Sequence, residues 1–219
     1  MKKCLVIIFV KCIRTKKILN ILNKLNVTYE IFYIVSFIKN NKKFTKKIKN
    51  YLQSFNKLII CGSCKYELNN KFVGCKKNIV CSIINLSNKI YKLFYNKPVF
   101  GICYGMELLG ILNNSKVINI PKYLTNSMKI AKANKGNKLV YLNKKYKIFN
   151  NIKAPALFNH YHKKILDIKS LSKKINIIAK SEYGIAGIKI NKKQHYGFQF
   201  HPENSKKQGF TLIKNLVNL

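Results

Sequence analysis

Short apolar runs alternate with amphipathic stretches along the first part of the chain. Cys4 to Val10 is a continuous apolar run rich in β-branched residues, a pattern typical of a strand covered on both faces. Residues 15–25 place isoleucines and leucines on one face at helical spacing. A strand over Thr28 to Ile34, a basic helix over 44–54 and a strand over Lys57 to Cys61 continue the alternation. This order of elements predicts a parallel sheet with helices on both faces.

The rest of the chain carries more strands than helices. A helix is predicted over 81–95 and a strand over the PVFGIC run that ends at Cys103. Short strands separated by polar turns are predicted over 116–120, 128–133, a hairpin within 138–149, 156–159, 175–179, 185–190 and 196–200. A helix from about residue 206 follows them. Because no repeat or linker interrupts this pattern, it predicts an α/β fold with a mostly parallel central sheet and one domain over residues 1–219.

The charge of the chain is strongly unbalanced. Its 219 residues include 43 basic and 6 acidic residues, a formal net charge of +37. Such an imbalance ordinarily favours a nucleic acid or an anionic membrane surface as the partner. However, every basic residue except Arg14 is a lysine, and lysine, asparagine and isoleucine crowd the sequence together, as an A+T-rich genome would encode. Because the arginine forks that read bases are missing, we expect no specific nucleic-acid partner.

The cysteines and the apolar runs bear on the cellular compartment. Seven cysteines with no regular spacing predict a reducing, cytoplasmic compartment. The opening MKKCLVIIFVK has the charge and apolar run of a signal peptide but no small-residue cleavage site, so a buried first strand is expected. No apolar run reaches the roughly 18 residues that a membrane span needs, so no membrane partner is expected.

The stretch FGICYGMELLG places Cys103 between Gly101 and Gly105, after a predicted strand and before a helical run. Glycines on both sides of a tight strand-to-helix turn keep side chains away from a nucleophile at its tip. Amides at the start of the following helix would favour a thiolate and donate hydrogen bonds to an oxyanion. Taken alone, the motif also fits a buried cysteine in a packing turn.

A second motif, YGFQFHPEN, supplies partners for that cysteine. His201 follows a short apolar strand, and Glu203 stands two residues further on, where its carboxylate can reach the imidazole. A cysteine nucleophile needs a base beside the thiol and an acid beside the base, so the two motifs together predict a Cys103–His201–Glu203 triad. A solvated turn histidine is the alternative for His201 alone.

The two motifs resemble the signature blocks of the class I glutamine amidotransferases, in the family's order and at the family's separation. The resemblance is strong from about 98 to 219 and weak before. It implies a flavodoxin-like three-layer α/β/α fold, no cofactor, and a partner synthase that consumes ammonia. It also implies that Cys103 attacks the side-chain amide of glutamine, His201 moves the proton, and Glu203 orients His201.

The loop after the third strand departs from the family pattern. The family carries a glycine- and proline-rich loop that supplies an oxyanion-hole amide, whereas this sequence has Cys61-Gly62-Ser63-Cys64. We expect Gly62 to provide one amide and Tyr104 the second. The Cys-x-x-Cys spacing leaves open a zinc or redox site with Cys75 or Cys81. Without a paired motif or nearby histidines, we predict no metal site.

Two further departures lie near the predicted site. Glu107 stands where the family carries a glutamine that lines the substrate pocket. Because a carboxylate there would lie beside the substrate's own carboxylate, we expect weakened glutamine binding or a glutaminase that depends on its partner. After the first strand, the family carries a turn with an acidic residue and a glycine or serine. This sequence has FVKCIRTKK in its place.

The finer resemblance divides among several amidotransferases. NHYHKKILDIKSLSKKINIIA, residues 159–179, resembles the glutaminase subunits of anthranilate synthase and aminodeoxychorismate synthase. It places Lys163 and Lys164 where backbone in that family holds the glutamine α-carboxylate. GICYGM resembles GMP synthase, and PVFGIC with ILNILNKLN resembles the small chain of carbamoyl-phosphate synthase. Anthranilate or aminodeoxychorismate synthase component II is therefore the favoured interpretation. GMP synthase, carbamoyl-phosphate synthase and a non-catalytic subunit of the same fold are the alternatives.

Overall fold

The computed structural model describes residues 3–9, 12–63, 79–121 and 135–219. Its strands are β1 (Lys3–Ile8), β2 (Thr28–Tyr33), β3 (Lys57–Ile60), β4 (Val99–Ile102), β5 (Val117–Asn119), β6 (Lys135–Leu142), β7 (Ala156–Tyr161), β8 (Lys164–Leu166), β9 (Ile175–Ser181), β10 (Gly184–Ile190) and β11 (His195–Phe198). Its helices are α1 (Ile13–Lys24), α2 (Ile34–Lys39), α3 (Lys46–Gln53), α4 (Ile79–Leu93), α5 (Tyr104–Leu112) and α6 (Lys206–Val217).

The described strands form a large sheet in the order β2-β1-β3-β4-β11-β10-β9-β6-β7. The pairs from β2 to β11 are all parallel, and antiparallel strands extend the sheet from β11 to β7. Strands β5 and β8 form a separate antiparallel pair. The prediction of an α/β fold with a mostly parallel central sheet is confirmed, and the parallel half carries the continuous apolar runs from which it was made.

The core lies on both faces of the sheet. Successive residues of β1 point to opposite faces, so Leu5 and Ile7 belong to one buried cluster and Val6 and Ile8 to the other. Helices α2 to α5 cover the first face, and α1 and α6 cover the second, each with its apolar residues turned to the sheet. The result is the three-layer α/β/α arrangement.

The parallel strands end at one edge of the sheet, and this edge positions the candidate site. Cys61 and Gly62 follow β3, Cys103 follows β4, and His201 lies three residues beyond the end of β11. Ligands of open α/β sheets bind at the carboxyl ends of the strands because the loops that follow neighbouring strands meet there.

Two sequence predictions of local structure and one omission have different outcomes. The hairpin expected within 138–149 is wrong: β6 is one long strand that pairs with β7 and β9, and a 3₁₀ turn at Lys147–Phe149 follows. The polar residues after Leu142 end the strand without reversing it onto itself. Helix α2 was missed, because its six residues are too few to show helical periodicity. The strand expected over 128–133 lies outside the described residues.

Two observations bear on the compartment. Cys4, Cys12, Cys61 and Cys103 are free thiols, whereas Cys81 is disulfide-bonded, which the expectation of reduced cysteines did not include. Within the four described ranges, the helices are all too short or too polar to cross a membrane.

Candidate active site

Cys103 sits on a sharp turn between β4 and α5. Its backbone has φ 52° and ψ −108°, a region that residues with a side chain rarely adopt. Its amide donates to the Phe198 carbonyl at 2.7 Å, and its own carbonyl accepts from Met106 N at 2.9 Å. The neighbouring strand and the first turn of the helix therefore hold this strained conformation, as expected for a nucleophile elbow.

The two glycines that flank Cys103 leave room for this turn. A Cβ atom on Gly101 would lie 2.5 Å from the Gly105 carbonyl, and one on Gly105 would lie 2.2 Å from the Ile60 carbonyl oxygen. Both distances are far below van der Waals contact, so neither position accepts a side chain without a backbone shift. The spacing Gly-x-Cys-x-Gly is thus required by the close approach of α5 to β3 and β4.

His201 and Glu203 form a buried pair. The imidazole Nδ1 lies 2.7 Å from the Glu203 carboxylate, and both side chains are almost completely buried. Backbone contacts fix the position of His201, because its amide donates to the Asn159 carbonyl at 2.7 Å and its carbonyl accepts from Ser205 Oγ. The acid therefore contacts the imidazole nitrogen that faces away from the thiol.

The electrostatic surroundings of His201 favour its charged form. Burial alone would lower the pKa of His201, but the negative charge of Glu203, followed by that of Cys103, and the hydrogen bond to Glu203 raise it to about 10. The three other histidines of the chain have lowered pKa values, and burial is the main cause in each case; they are His160, His162 and His195. Of the four histidines, His201 is therefore the one whose surroundings favour the imidazolium form.

The ends of β3, β4 and β11 meet around the Cys103 sulfur. A Cβ atom on Gly62 would lie 3.3 Å from His201 Cε1 and 3.6 Å from Cys103 Cβ, so Gly62 lies against both catalytic candidates. His201 Nε2 is buried and makes no hydrogen bond within the described part of the chain. The Cys103 thiol is close enough to raise the pKa of His201, and we expect a hydrogen bond to form between the two side chains when substrate binds.

Tyr104 begins α5, so its amide lies at the positive end of that helix, next to Cys103. Its ring is buried and packs edge-on against Phe9 at 4.7 Å between ring centroids. The ring therefore packs in the core, and only the backbone of Tyr104 is suited to the oxyanion role predicted for it.

Glu107 and Gln199 form a buried polar pair beside the nucleophile. Gln199 Nε2 donates to Glu107 Oε1 at 3.0 Å and lies 3.9 Å from the Cys103 sulfur. Sequence reasoning identified Glu107 but missed Gln199. Gln199 directly follows β11, and its place beside the sulfur is set by a side-chain contact that the sequence pattern does not reveal.

Lys163 and Lys164 lie just beyond β7, whose last residue reaches the nucleophile. The Tyr161 carbonyl lies 3.9 Å from the Cys103 sulfur. The Lys163 side chain is exposed and that of Lys164 is half-buried, so their backbone is the part suited to hold a substrate. His162 supports this segment, since its Nδ1 donates to the Lys164 carbonyl at 2.9 Å.

His160 and His162 form a neutral chain behind the same segment. Since His162 Nδ1 donates to a carbonyl, His162 Nε2 is the acceptor for His160 Nδ1 at 3.0 Å. Burial lowers the pKa of His160 to about 3 and that of His162 to about 4, with the neighbouring histidines adding to the effect at His160. These residues therefore brace the segment and do not compete with His201 as a base.

Cys61 lies at the same edge of the sheet as Cys103, but its surroundings do not favour a reactive thiol. It is fully buried, and burial, followed by the charge of Glu203, raises the pKa of its thiol strongly. Of the other candidate members of a zinc or redox site, Cys81 is disulfide-bonded, and Cys64 and Cys75 lie outside the described residues. Within the described ranges, no three ligand-type side chains come together in a metal-binding cluster.

The family model for "Glutamine amidotransferase class-I" matches residues 14–218, which include every residue of the candidate site. The chain belongs to the class I glutamine amidotransferases. The enzymatic interpretation of the Cys103, His201 and Glu203 cluster agrees with this membership.

This amidotransferase is similar to several curated proteins. It is 27% identical over 197 residues to anthranilate synthase component 2 of Cyanophora paradoxa, covering 84% of this chain and 98% of that protein. It is 30% identical over 136 residues to the imidazole glycerol phosphate synthase subunit HisH of Vibrio cholerae, covering 56% of this chain and 64% of that protein. It spans only 19% of a longer bifunctional relative. These relatives are therefore named as parts of different synthases.

Among solved structures, the amidotransferase resembles a putative GMP synthase subunit from Thermoplasma acidophilum. The TM-score is 0.74 with 17% sequence identity, and the match covers 100% of this chain and 93% of the other. At that identity the match shows the fold alone.

Proposed function

We propose that this amidotransferase hydrolyses glutamine to glutamate and delivers the ammonia to a partner synthase. The observation that carries the proposal is the buried contact of His201 with Glu203 beside Cys103 on its strained turn. An imidazolium opposite a thiolate is the charge state that a cysteine nucleophile needs. The sulfur attacks the side-chain amide carbon, and a tetrahedral oxyanion forms.

The oxyanion and the leaving group each have a partner in the site. The amides of Gly62 and Tyr104 are the proposed donors to the oxyanion, because Gly62 lies against Cys103 and Tyr104 begins the helix that follows it. His201 gives its proton to the departing nitrogen, which leaves as ammonia. A water molecule, deprotonated by His201, then attacks the thioester and releases glutamate. Glu203 holds the imidazole in the required orientation throughout.

Glu107 is the residue proposed to weaken this activity. It is 5% exposed, and its carboxylate accepts from Gln199 beside the nucleophile. A negative charge in a pocket of low dielectric repels the α-carboxylate of glutamine more strongly than it would in water. Docking of the synthase can offset that repulsion by closing the site around the substrate, which makes the glutaminase partner-dependent.

The partner proposed is the large subunit of anthranilate or aminodeoxychorismate synthase. Support comes from the segment that begins at Asn159 and from the relative named anthranilate synthase component 2, which the chain covers almost completely. A second candidate is the synthetase subunit of GMP synthase, favoured by the resemblance of GICYGM to that synthase. Imidazole glycerol phosphate synthase is a third candidate, because the chain is similar to its HisH subunit.

Ammonia transfer distinguishes these functions. The chain is mixed with each candidate synthase subunit, its acceptor substrate and glutamine labelled at the amide nitrogen, and both labelled product and free glutamate are measured. We expect label in anthranilate or aminodeoxychorismate, and none with Cys103→Ala. Label in the product of another synthase would identify that synthase as the partner instead. A complete lack of Cys103-dependent glutamate release with every synthase would contradict the enzymatic proposal.

A further inference from the structure

The only arginine of this lysine-rich chain lies at the mouth of the candidate site. Arg14 belongs to the first turn of α1, which follows β1 at the same edge of the sheet as Cys103. Its guanidinium carbon lies 4.0 Å from the centroid of the Tyr161 ring. A planar guanidinium stacks on an aromatic ring in a way that a lysine ammonium does not, so this is a position where arginine and lysine are not equivalent.

Tyr161 connects Arg14 to the reacting atoms. It is the last residue of β7, and its carbonyl oxygen lies 3.9 Å from the Cys103 sulfur. The same strand holds the base, because the Asn159 carbonyl accepts from the His201 amide at 2.7 Å. The Tyr161 ring is 44% exposed, so packing in the core does not fix it. The stack with Arg14 is therefore a side-chain contact that supports the end of β7, in addition to the pairing of Tyr161 with Lys135 of β6.

The first turn of α1 also reaches the other side of the site. Lys17 Nζ donates to Asn204 Oδ1 at 2.7 Å, and Asn204 follows Glu203 in the turn after His201. One helical turn thus contacts both the segment beside the nucleophile and the segment beside the base. Because the two contacts arise from one short element, a movement of this turn would change both segments together.

We propose that Arg14 is a positioning residue for glutamine binding. By stacking on Tyr161, it holds the Tyr161 carbonyl and the chain that continues to Lys163 at a fixed distance from Cys103. This inference rests on the proposed glutaminase function, since that segment is the one proposed to hold the glutamine α-carboxylate. Because Arg14 would act through Tyr161 and not on the reacting atoms, its loss should raise KM for glutamine and leave the chemical step largely intact.

The decisive variant is Arg14→Lys, which keeps the charge and removes the planar stack. Lys16→Ala is the matched control, because Lys16 is exposed on the same turn. We expect Arg14→Lys to raise KM for glutamine by roughly 3- to 10-fold with kcat within about twofold, and Lys16→Ala to change neither. Unchanged KM, or a loss of kcat and thermal stability at constant KM, would show a merely structural residue and overturn the proposal.

A second readout separates this inference from the glutaminase proposal. The rate at which iodoacetamide alkylates Cys103 is followed on the Cys103 peptide by mass spectrometry, without glutamine. Cys103 is 7% exposed, and the Tyr161 segment covers it, so we expect Arg14→Lys to speed alkylation by about threefold or more over the Lys16→Ala control. Faster alkylation in a chain that never releases glutamate would contradict the glutaminase function alone. An unchanged rate would contradict the role of Arg14.

Discussion

Strands β3 and β4 lie side by side, run in the same direction, and each is followed at once by a cysteine. Cys61 continues the buried core, and burial raises the pKa of its thiol strongly. Cys103 has a left-handed φ of 52° and faces His201, whose pKa is raised to about 10 by Glu203 and by Cys103 itself against the effect of burial. The comparison indicates that backbone strain and a charged neighbour, more than the thiol or the strand end, distinguish the proposed nucleophile from a core residue.

Removing each thiol tests this difference most strongly. We expect Cys103→Ala to lower glutamate release by at least about 10⁴-fold, because covalent chemistry is lost. Cys61→Ala should keep activity within about threefold and cost roughly 1 kcal/mol of unfolding free energy, because a small buried side chain is shortened. Steady-state glutaminase rates and urea unfolding measure both. Equal losses in the two variants would contradict the distinction.

Replacing Glu203 by a neutral residue tests whether its charge distinguishes the surroundings of Cys103 from those of Cys61. Activity needs the His201 imidazolium to protonate the departing nitrogen, so it should fall as pH rises through the raised pKa of about 10. Glu203→Gln removes a negative charge that raises this pKa, so the alkaline limb of kcat/KM should move to lower pH. We also expect kcat/KM to fall on the order of 10²- to 10⁴-fold. A pH profile with an unmoved alkaline limb would show that Glu203 does not set the charge of His201.

Gly105 links the two strand ends, since a Cβ there would lie 2.2 Å from the Ile60 carbonyl oxygen of β3. Gly105→Ala should therefore destabilise the fold by roughly 2 to 4 kcal/mol and displace the turn that carries Cys103. The exposed change Lys16→Ala serves as the control in the same urea unfolding experiment. An unfolding free energy equal to that of the control would show that α5 and β3 are not in close contact at this point.

The smallest expected effect concerns the charge beside Cys103. Glu107→Gln keeps the hydrogen-bonding shape toward Gln199 and removes the carboxylate that repels glutamine. We expect KM for glutamine to fall about tenfold, equivalent to about 1.4 kcal/mol, and the dependence on the synthase to weaken. Titration of the free chain and of its complex with glutamine measures both effects. A rise in KM would instead show that the Glu107 carboxylate binds glutamine favourably, for example through the α-ammonium group of the substrate.

The sequence predicted the parallel half of the sheet well because β1, β3 and β4 are apolar runs that alternate with stretches of helical periodicity. It failed at β6, whose partners β7 and β9 are distant in the chain, so no local pattern could reveal the pairing. Non-local pairing is decided by tertiary contacts.

The candidate site was predictable to the extent that its residues lie in compact motifs. Cys103, His201 and Glu203 stand in two short stretches whose glycine and proline positions carry geometric information. Gln199 and Tyr161 did not stand out, because their roles depend on a side-chain contact and on a backbone carbonyl that only the folded chain brings to the sulfur.

The central claim is that the Cys103 sulfur forms a covalent bond to glutamine during turnover. The chain, together with its active synthase partner, is mixed with glutamine, quenched in acid while turning over, digested and analysed by mass spectrometry. The account predicts a γ-glutamyl group on the Cys103 peptide, absent in Cys103→Ala and increased in Glu203→Gln if thioester hydrolysis slows more than its formation. Glutamate release without any adduct on Cys103, or with the adduct on Cys61, would contradict it.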